Sequence, residues 1–383
     1  MTIIKTDYQP PEYVVTGAAG FIGSQMVQHL LSHKKRVRAT DLREPSWLKA
    51  HQKERESGQL EFVAADLTDA PSLEKVVRGT KYLHHIGALF HHAASYDDLM
   101  RVNADGTKNI CTAALRNDLE RIVHVGSMTI YGHNQVPEKG AKYAITEQKK
   151  PDPADHYAFS KQRSREIAAN FNGWQGLQVC IVDPAGVFGP QSTYGNVSII
   201  KMLLDGMMLL PDGGKHQASM VHSYDVVRLC DFLMQTNITH DSNEPQVLSY
   251  LASDYTPVTG RELMDGIWKK IPKELQHNFA RKITEHVPVR EWWLLPVAHL
   301  ADTVAKIYNA TLRKAVKGHI WHPELDPRAI KYGFGDHSAS PEKAKNAGFR
   351  HCYPETWQTI NEVMDWHTYH GLIKERLEKK KKK

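Results

Sequence analysis

The chain has 383 residues, more than one hydrophobic core usually supports, so we expect two packed lobes. Hydrophobic residues make up 41% and charged residues 24% of the chain, which is typical of a globular protein in water. The formal net charge of +6 falls to +1 without the five lysines Lys379–Lys383, and this near-neutral body argues against a nucleic-acid-binding surface.

Cysteine spacing and hydropathy exclude other classes of protein. The four cysteines lie far apart and show neither metal-binding nor disulfide-framework spacing, and we propose no metal site. Residues 1–11 lack the apolar core of a signal peptide. The longest apolar run in the C-terminal half, Trp292–Ala298, is far shorter than the roughly 20 residues that span a bilayer. We therefore expect a cytoplasmic protein.

The first half of the chain alternates β-rich runs with segments of helical periodicity. Strands are predicted at 12–16, 36–41, 60–64, 82–86, 121–125 and 177–182, and helices at 22–32, 70–77, 103–116 and 157–171. This alternation is typical of βαβ units, which close through right-handed crossovers into a parallel sheet covered on both faces. We predict an α/β fold with a Rossmann-type doubly wound parallel sheet over residues 1–183.

The alternation ends after Pro184, where glycine and proline become more frequent. A predicted helix at 221–234 and strand at 247–251 indicate that residues 218–252 return to the sheet. Residues 184–217 and 253–375 are predicted to form a smaller, mostly helical lobe that binds a small-molecule substrate. Residues 376–383 form a basic tail, expected to be a solvated, disordered end. An artificial addition left by cloning and a weak peripheral contact of its lysines with anionic lipid are the alternatives.

A glycine-rich turn, Thr16–Gly23, joins the first strand to the first helix in a GxxGxxG spacing. A turn without Cβ atoms lets the backbone approach a pyrophosphate, and the helix N-terminus offers free N–H groups and a partial positive charge. The residues predicted to bind a dinucleotide here are Gly17, Gly20, Phe21, Ile22 and Gly23. Such motifs are weak alone, but this one lies between a strand and a helix, as the mechanism requires.

Acidic residues follow the second and third strands. Asp41 ends the second strand, where a carboxylate can accept hydrogen bonds from both ribose hydroxyls of NAD and repels the 2′-phosphate of NADP. Arg43 could pair with that phosphate, so NADP stays open, but NAD is favoured. Asp66 and Leu67 follow the third strand, at the edge where an adenine would lie. For Asp66, capping of the next helix is the alternative.

A tyrosine and a lysine four residues apart, Tyr157 and Lys161, lie on one face of a predicted helix. A neighbouring ammonium and a positive nicotinamide ring favour the phenolate, so the tyrosine can exchange a proton with a substrate alcohol as hydride is transferred. Ser127 lies just past the fifth strand, at the rim where open α/β sheets bind ligands. Its hydroxyl would hold the substrate oxygen beside Tyr157.

In combination, these residues resemble the extended short-chain dehydrogenase/reductase family, which includes nucleotide-sugar epimerases and dehydratases and 3β-hydroxysteroid dehydrogenases. The resemblance runs from about Val14 to Asp225. It implies that Ser127, Tyr157 and Lys161 form the catalytic set and that Asn103 has a structural role. It also implies a homodimer packed through the helices that contain Asn103–Arg116 and Tyr157–Phe171.

Departures from the family pattern narrow the substrate. Met128 and Thr129 stand where the dehydratases carry an acid pair, and Gly186 and Ala218 replace an Asn and an Arg usual in sugar-nucleotide members. The aromatic, apolar segment Pro288–Leu300 is similar to the sterol and 3β-hydroxysteroid branch. Our hypothesis is that it lines or covers a pocket for a bulky apolar alcohol or ketone. A plain core segment of the second lobe is an equal alternative.

The sequence therefore predicts an NAD-dependent oxidoreductase that acts on a secondary alcohol or ketone, with sterol- or isoprenoid-like substrates favoured. An epimerase of a nucleotide sugar, in which NAD stays bound and hydride returns to the other face, would use the same catalytic set. An NAD-binding regulatory protein is an alternative of another class, and retention of the tyrosine–lysine pair argues against it.

Overall fold

The computed structural model describes residues 9–90, 94–132, 135, 137–192, 197–206, 210–236, 248–276, 289–311, 331 and 333–382. The strands are β1 Tyr13–Thr16, β2 Val37–Asp41, β3 Leu60–Ala64, β4 Tyr82–His85, β5 Arg121–Val125, β6 Gln178–Pro184, β7 Gly186–Phe188, β8 Gln217–Ala218, β9 Met220–His222, β10 Leu248–Ala252 and β11 Val258–Thr259. The α-helices are α1 Phe21–Ser32, α2 Gln52–Glu56, α3 Ala70–Val77, α4 Tyr96–Leu99, α5 Gly106–Arg116, α6 His156–Asn170, α7 Val197–Leu204, α8 Ser223–Gln235, α9 Gly260–Lys270, α10 Glu291–Thr311, α11 Glu342–Asn346, α12 Thr356–Tyr369 and α13 Leu372–Lys381.

Seven strands form one parallel sheet in the order β10-β6-β5-β4-β1-β2-β3. The strand order reverses between β1 and β4, so the crevice at their carboxyl ends is the place where open α/β sheets bind ligands. The fold-class prediction is confirmed: this is a Rossmann-type doubly wound sheet. The predicted strands fall within one or two residues of the observed ones, because short β-branched runs bounded by turns are a clear signal for buried parallel strands.

Helices cover both faces of the sheet. On one face, α1 and α8 pack over β1, β5 and β6 in a core that includes Met26, Leu30 and Leu233. On the other face, α3, α5 and α6 enclose a second core that includes Leu73, Ile110 and Ala168. The chain leaves the sheet after β6 and returns through α8 and β10, whose strand pairs in parallel with β6. Val247, the predicted first residue of that strand, lies outside the described residues.

A separate core joins α7, α9, α12 and α13 and includes Ile200, Ile267 and Met364. This is the helical C-terminal part of the molecule. Residues around α11 behave differently, because Ala344 and Phe349 belong to the core of the Rossmann sheet and α11 packs on β10. The segment after residue 253 is therefore divided between the two cores.

The basic tail differs from expectation. Predicted to be disordered, it is helical through Lys381, as the last turns of α13, with exposed lysine side chains. Arg376 pairs with Asp205, and the Lys380 ammonium donates to the carbonyl of Glu274, which tie the helix to the second lobe. Positive side chains in the last turn of a helix also interact favourably with the negative end of the helix dipole. Lys383 lies outside the described residues. Among the described helices, none is long and apolar enough to cross a membrane.

Candidate functional site

The glycine turn brings the backbone of β1 very close to that of β4. Gly17 has a φ of +69°, and a Cβ there would lie 2.7 Å from the Cα of Gly87. A Cβ at Gly23 would lie 2.0 Å from the carbonyl oxygen of Gly17, so only glycine allows α1 to begin this close to the turn. Gly20 precedes α1 and carries no capping side chain, which leaves the first N–H groups of the helix available to an anion.

A series of hydrogen bonds to the end of β4 holds the glycine turn in place. The Thr16 hydroxyl oxygen accepts from the N–H groups of Ile86 and Gly87, each at 3.0 Å, and lies 2.9 Å from Nδ1 of His85. With both N–H groups donating to it, the Thr16 hydroxyl must donate to Nδ1, so His85 carries its proton on Nε2 and donates to Thr107 at 3.0 Å. Burial lowers the pKa of His85 to about 3, so the ring is neutral.

Asp41 connects the turn to the end of β2. One carboxylate oxygen accepts from the N–H of Ala19 at 2.9 Å, and the other from the N–H of Leu42 at 2.7 Å. Each oxygen keeps a second lone pair for another donor. Phe21 and Ile22 are partly exposed at the start of α1, and Arg43 is exposed two residues after Asp41. The structure thus places the predicted pyrophosphate- and ribose-binding residues on adjacent loops.

Asp66 and Leu67 stand on the next loop, after β3. The Asp66 carboxylate accepts from the backbone and hydroxyl of Thr68, both at 2.8 Å, so it holds the local turn before α3. The Leu67 side chain lies against Gly87 and Gly106. A Cβ on Gly87 would lie 3.3 Å from it, and a Cβ on Gly106 would lie 2.8 Å from it. Leu67 therefore lines the crevice beside β4, whereas Asp66 has a demonstrated structural role.

Ser127, Tyr157 and Lys161 come together at the carboxyl end of β5. Tyr157 and Lys161 lie one turn apart on α6. The helix is capped by Asp155, whose carboxylate accepts from the N–H of Ala158. The Ser127 side chain is near enough to the Tyr157 hydroxyl to lower its pKa. The Lys161 ammonium is buried and donates to the carbonyl of Val125 at 2.8 Å. Phe90 packs edge-on against the Tyr157 ring, with centroids 5.0 Å apart.

Burial shifts the pKa values of Tyr157 and Lys161. Burial raises the pKa of Tyr157, and its hydrogen bond with Ser127 acts in the opposite direction. Burial also lowers the pKa of Lys161 to about 8, against the attraction of Asp183. An ammonium so close to losing its proton near neutral pH is typical of a catalytic environment rather than of a surface ion pair.

Thr129 places a second hydroxyl beside Ser127. Its Oγ1 lies 2.9 Å from the Ser127 hydroxyl, and its backbone N–H donates to the same oxygen at 3.3 Å. The turn Met128–Tyr131 is a short 3-10 helix for which Ser127 is the cap. These contacts hold the Ser127 hydroxyl in a fixed orientation. Met128 is buried in the core.

Asn103 occupies a π-helical segment, Met100–Asp105, immediately before α5. Its amide group accepts from the N–H of Leu89 at 2.7 Å and donates to the carbonyl of Leu89 and to the Ser160 hydroxyl at 3.1 and 2.9 Å. It therefore connects the loop after β4 to α6, the helix of Tyr157. This is the structural position that the resemblance implied for it.

Sequence reasoning missed two residues of the site, Asp183 and Arg165. Asp183 is buried at the end of β6, accepts from the backbone N–H of Ser127 at 3.1 Å and pairs with Arg165 of α6 at 3.0 Å. The available signal was an acidic residue near the end of a predicted strand, the same signal that identified Asp41. The strand was predicted to end at Val182, one residue earlier.

The segment expected to line a substrate pocket forms the first turns of α10; Pro288 lies outside the described residues. Leu294 and Ala298 are buried with Val289 and Phe334 in a small core, whereas Trp292 is 78% exposed. An open cavity of about 650 Å³ is lined by Asp212, Arg290, Glu291, Trp292, Leu295, Pro296 and His299. Part of the segment is therefore core, none of the catalytic set lines this cavity, and the substrate pocket stays a prediction.

The chain resembles known proteins in sequence and fold. An uncharacterized protein y4nG of Sinorhizobium fredii is 27% identical over 57% of this chain, and a 3 beta-hydroxysteroid dehydrogenase/Delta 5-->4-isomerase of Mycobacterium tuberculosis is 27% identical over 68%. The matches span 52% and 70% of those two relatives. A solved structure of the DesIV dTDP-glucose 4,6-dehydratase double mutant from Streptomyces venezuelae, with NAD and DAU bound, matches with a TM-score of 0.66 at 21% identity, covering 94% of this chain and 97% of that one.

Family membership follows from a match over more than half of the sequence. Residues 13–247 fit the pattern of the family, from the first residue of β1 to the segment before β10. That range contains the glycine turn, the acidic residues after β2 and β3, and all three residues predicted to be catalytic. The chain belongs to the NAD dependent epimerase/dehydratase family.

Proposed function

We propose that the protein is an NAD-dependent oxidoreductase that interconverts a secondary alcohol and its ketone, with Tyr157 as the acid/base. The observation that carries the proposal is the cluster of Tyr157, Ser127 and Lys161 at the carboxyl end of the sheet, where the buried Lys161 ammonium donates to the carbonyl of Val125, two residues before Ser127. A proton donor and acceptor, a second hydroxyl and a cation are the groups that alcohol oxidation needs.

The glycine turn and its neighbours fit a dinucleotide. Glycine at positions 17 and 23 lets the turn pack directly against Gly87 and against the start of α1, and the uncapped start of α1 suits a pyrophosphate. Asp41 would accept from the ribose hydroxyls, and its negative charge favours NAD over NADP. When bound, the cofactor supplies the hydride acceptor and a positively charged ring.

The chain's own residues would then move the proton. Ser127 holds the substrate oxygen by a hydrogen bond, and Tyr157 as phenolate takes the proton from the alcohol. The Ser127 side chain opposes the burial that raises the Tyr157 pKa, and we propose that the positive charge of Lys161, one helical turn away, favours the phenolate as well. In the reverse direction Tyr157 returns the proton to the ketone oxygen.

We propose a bulky, largely apolar substrate, sterol- or isoprenoid-like. Thr129 contributes a hydroxyl where an elimination would need an acid, and Gly186 and Ala218 offer no polar side chain to a diphosphate. The mycobacterial relative, named as a hydroxysteroid dehydrogenase, supports the same substrate class.

Absorbance at 340 nm tests the function. The purified chain is mixed with NAD or NADP and a panel of hydroxysteroids, isoprenoid alcohols and UDP-sugars. We expect NADH to accumulate with an apolar alcohol, not in Tyr157→Phe, and normally in the control Tyr369→Phe, which alters an exposed ring on α12. Interconversion of a sugar nucleotide without net NADH would instead assign the chain to the epimerases.

A further inference from the structure

An ion pair between the buried Asp183 and the partly exposed Arg165 adjoins the catalytic set. The Asp183 carboxylate, 1% exposed at the end of β6, accepts from Nε of Arg165 at 3.0 Å. Its other oxygen accepts from the backbone N–H of Ser127 at 3.1 Å. Removing the Asp183 carboxylate from water is costly, and pairing it with Arg165, whose side chain is 20% exposed, seldom stabilises a fold more than an apolar pair would. The pair therefore needs an explanation beyond stability.

One consequence is a fixed position for Ser127. The N–H of Gly126 donates to the carbonyl of Val182 at 2.7 Å, which aligns the end of β5 with β6. A Cβ on Gly126 would lie 1.9 Å from Oδ1 of Asp183, so the carboxylate occupies space that only glycine leaves free. Asp183 thus holds the backbone on which the Ser127 hydroxyl is mounted.

A second consequence concerns the charge of Lys161. Four other groups face this ammonium or lie within a turn of it: His85 on β4, His124 on β5, and Tyr157 and Arg165 on α6. Burial lowers the pKa of His85 to about 3 and that of His124 well below its ordinary value, so both rings are neutral. Lys161 donates to the carbonyl of Val125 at 2.8 Å, and Asp183 accepts from Ser127, two residues further on, at 3.1 Å, so the two charges meet the same end of β5. Asp183 is the negative charge that opposes the effect of burial on the Lys161 pKa.

We propose that Asp183 and Arg165 are positioning residues of the catalytic set. Asp183 fixes Ser127 through its backbone and supplies the negative charge that keeps Lys161 protonated. Arg165 holds Asp183 in place and keeps that carboxylate ionised despite its burial. The inference rests on the catalytic role proposed above for Ser127, Tyr157 and Lys161.

The test measures the Lys161 pKa directly. The full chain is labelled with [ε-¹³C]lysine, and the resonance that titrates near pH 8 is assigned by its loss in Lys161→Met. In Asp183→Asn, which keeps the shape and removes the charge, the Lys161 pKa should fall by about 1 or more. In Asp183→Glu, which keeps the charge, it should stay close to that of the unchanged chain.

A matched control changes another buried carboxylate. Asp231 pairs with His29 at 3.0 Å and lies on α8, and Asp231→Asn should leave the Lys161 titration unchanged. If Asp183→Asn does not fold, the double variant Arg165→Gln/Asp183→Asn leaves no unpaired charge and should shift the Lys161 pKa in the same direction.

An unchanged Lys161 pKa in the charge-removing variants, or equal shifts in Asp183→Asn and Asp183→Glu, would overturn the proposal and reduce the pair to a packing role. The titration needs neither substrate nor turnover. A chain that oxidises no alcohol but shows the predicted shifts would therefore refute the proposed function while leaving the charge coupling intact.

Discussion

His84, within β4, offers a perturbation whose effect follows from the structure in magnitude and sign. Its ring is fully buried, and neither nitrogen has a hydrogen-bond partner among the described residues. Burial lowers the pKa of His84 to about 4. A buried polar group without partners costs about 1–3 kcal/mol, so His84→Leu should raise the free energy of unfolding by about 1 kcal/mol at pH 7, net of imperfect repacking.

The pH dependence isolates the contribution of the ring. In the folded chain His84 stays neutral down to its lowered pKa, whereas in the unfolded chain it takes up a proton below about 6.5. As the pH falls from 7 to 5, the unfolded state therefore binds a proton that the folded state does not. Linkage makes the folded state lose about 2 kcal/mol from this residue over that interval. The His84→Leu chain has no such loss. Its free energy of unfolding should therefore exceed that of the unchanged chain by about 2 kcal/mol more at pH 5 than at pH 7.

Urea denaturation at pH 7 and pH 5, followed by circular dichroism, measures both free energies of unfolding for each chain. The exposed His370, changed to Leu, removes a histidine without removing a buried ring and serves as the matched control. A stability difference between His84→Leu and the unchanged chain that is the same at both pH values would refute the reasoning. It would mean that His84 is hydrated or protonated in the folded chain.

Three further predictions concern the site. Gly23→Ala should abolish NAD binding in a calorimetric titration, because its Cβ would lie 2.0 Å from the Gly17 carbonyl oxygen. Unchanged affinity would contradict the proposed binding of NAD at the glycine turn. Asp41→Asn should weaken NAD binding and narrow the preference over NADP, measured as the ratio of the two dissociation constants; an unchanged ratio would place the ribose elsewhere. Asn103→Ala leaves the N–H and carbonyl of Leu89 without their partner and should lower the free energy of unfolding by about 2–4 kcal/mol in urea. A loss below about 0.5 kcal/mol would show that water replaces the amide.

Local signals in the sequence identified most of the fold. The strand–turn–helix of Tyr13–Ser32 carries its pattern within some twenty residues, so the amino-acid sequence alone is enough to locate the glycine turn. Asp41 followed in the same way from its position at a strand end. The catalytic cluster needed one further assumption, that β5 and α6 meet at the same edge of the sheet, and parallel topology supplied it.

Contacts between distant segments could not be predicted. The bond between His85 and Thr16 joins residues 69 positions apart, and the bond from Ser127 to Asp183 joins residues 56 apart. No periodicity encodes such pairs, because their partners are chosen by the packing of the finished sheet. The tail shows the opposite error: composition indicated disorder, but contacts of Arg376 and Lys380 with the second lobe hold α13 in place.

Isotope transfer distinguishes net oxidation of an alcohol by NAD from epimerisation. An apolar secondary alcohol that carries deuterium on its carbinol carbon is incubated with the chain and NAD, and the cofactor is analysed by mass spectrometry. We expect deuterium on free reduced cofactor, formed in step with the ketone and absent with Tyr157→Phe. Deuterium that stays in the organic substrate, recovered with inverted configuration and no free reduced cofactor, would contradict the dehydrogenase and indicate an epimerase.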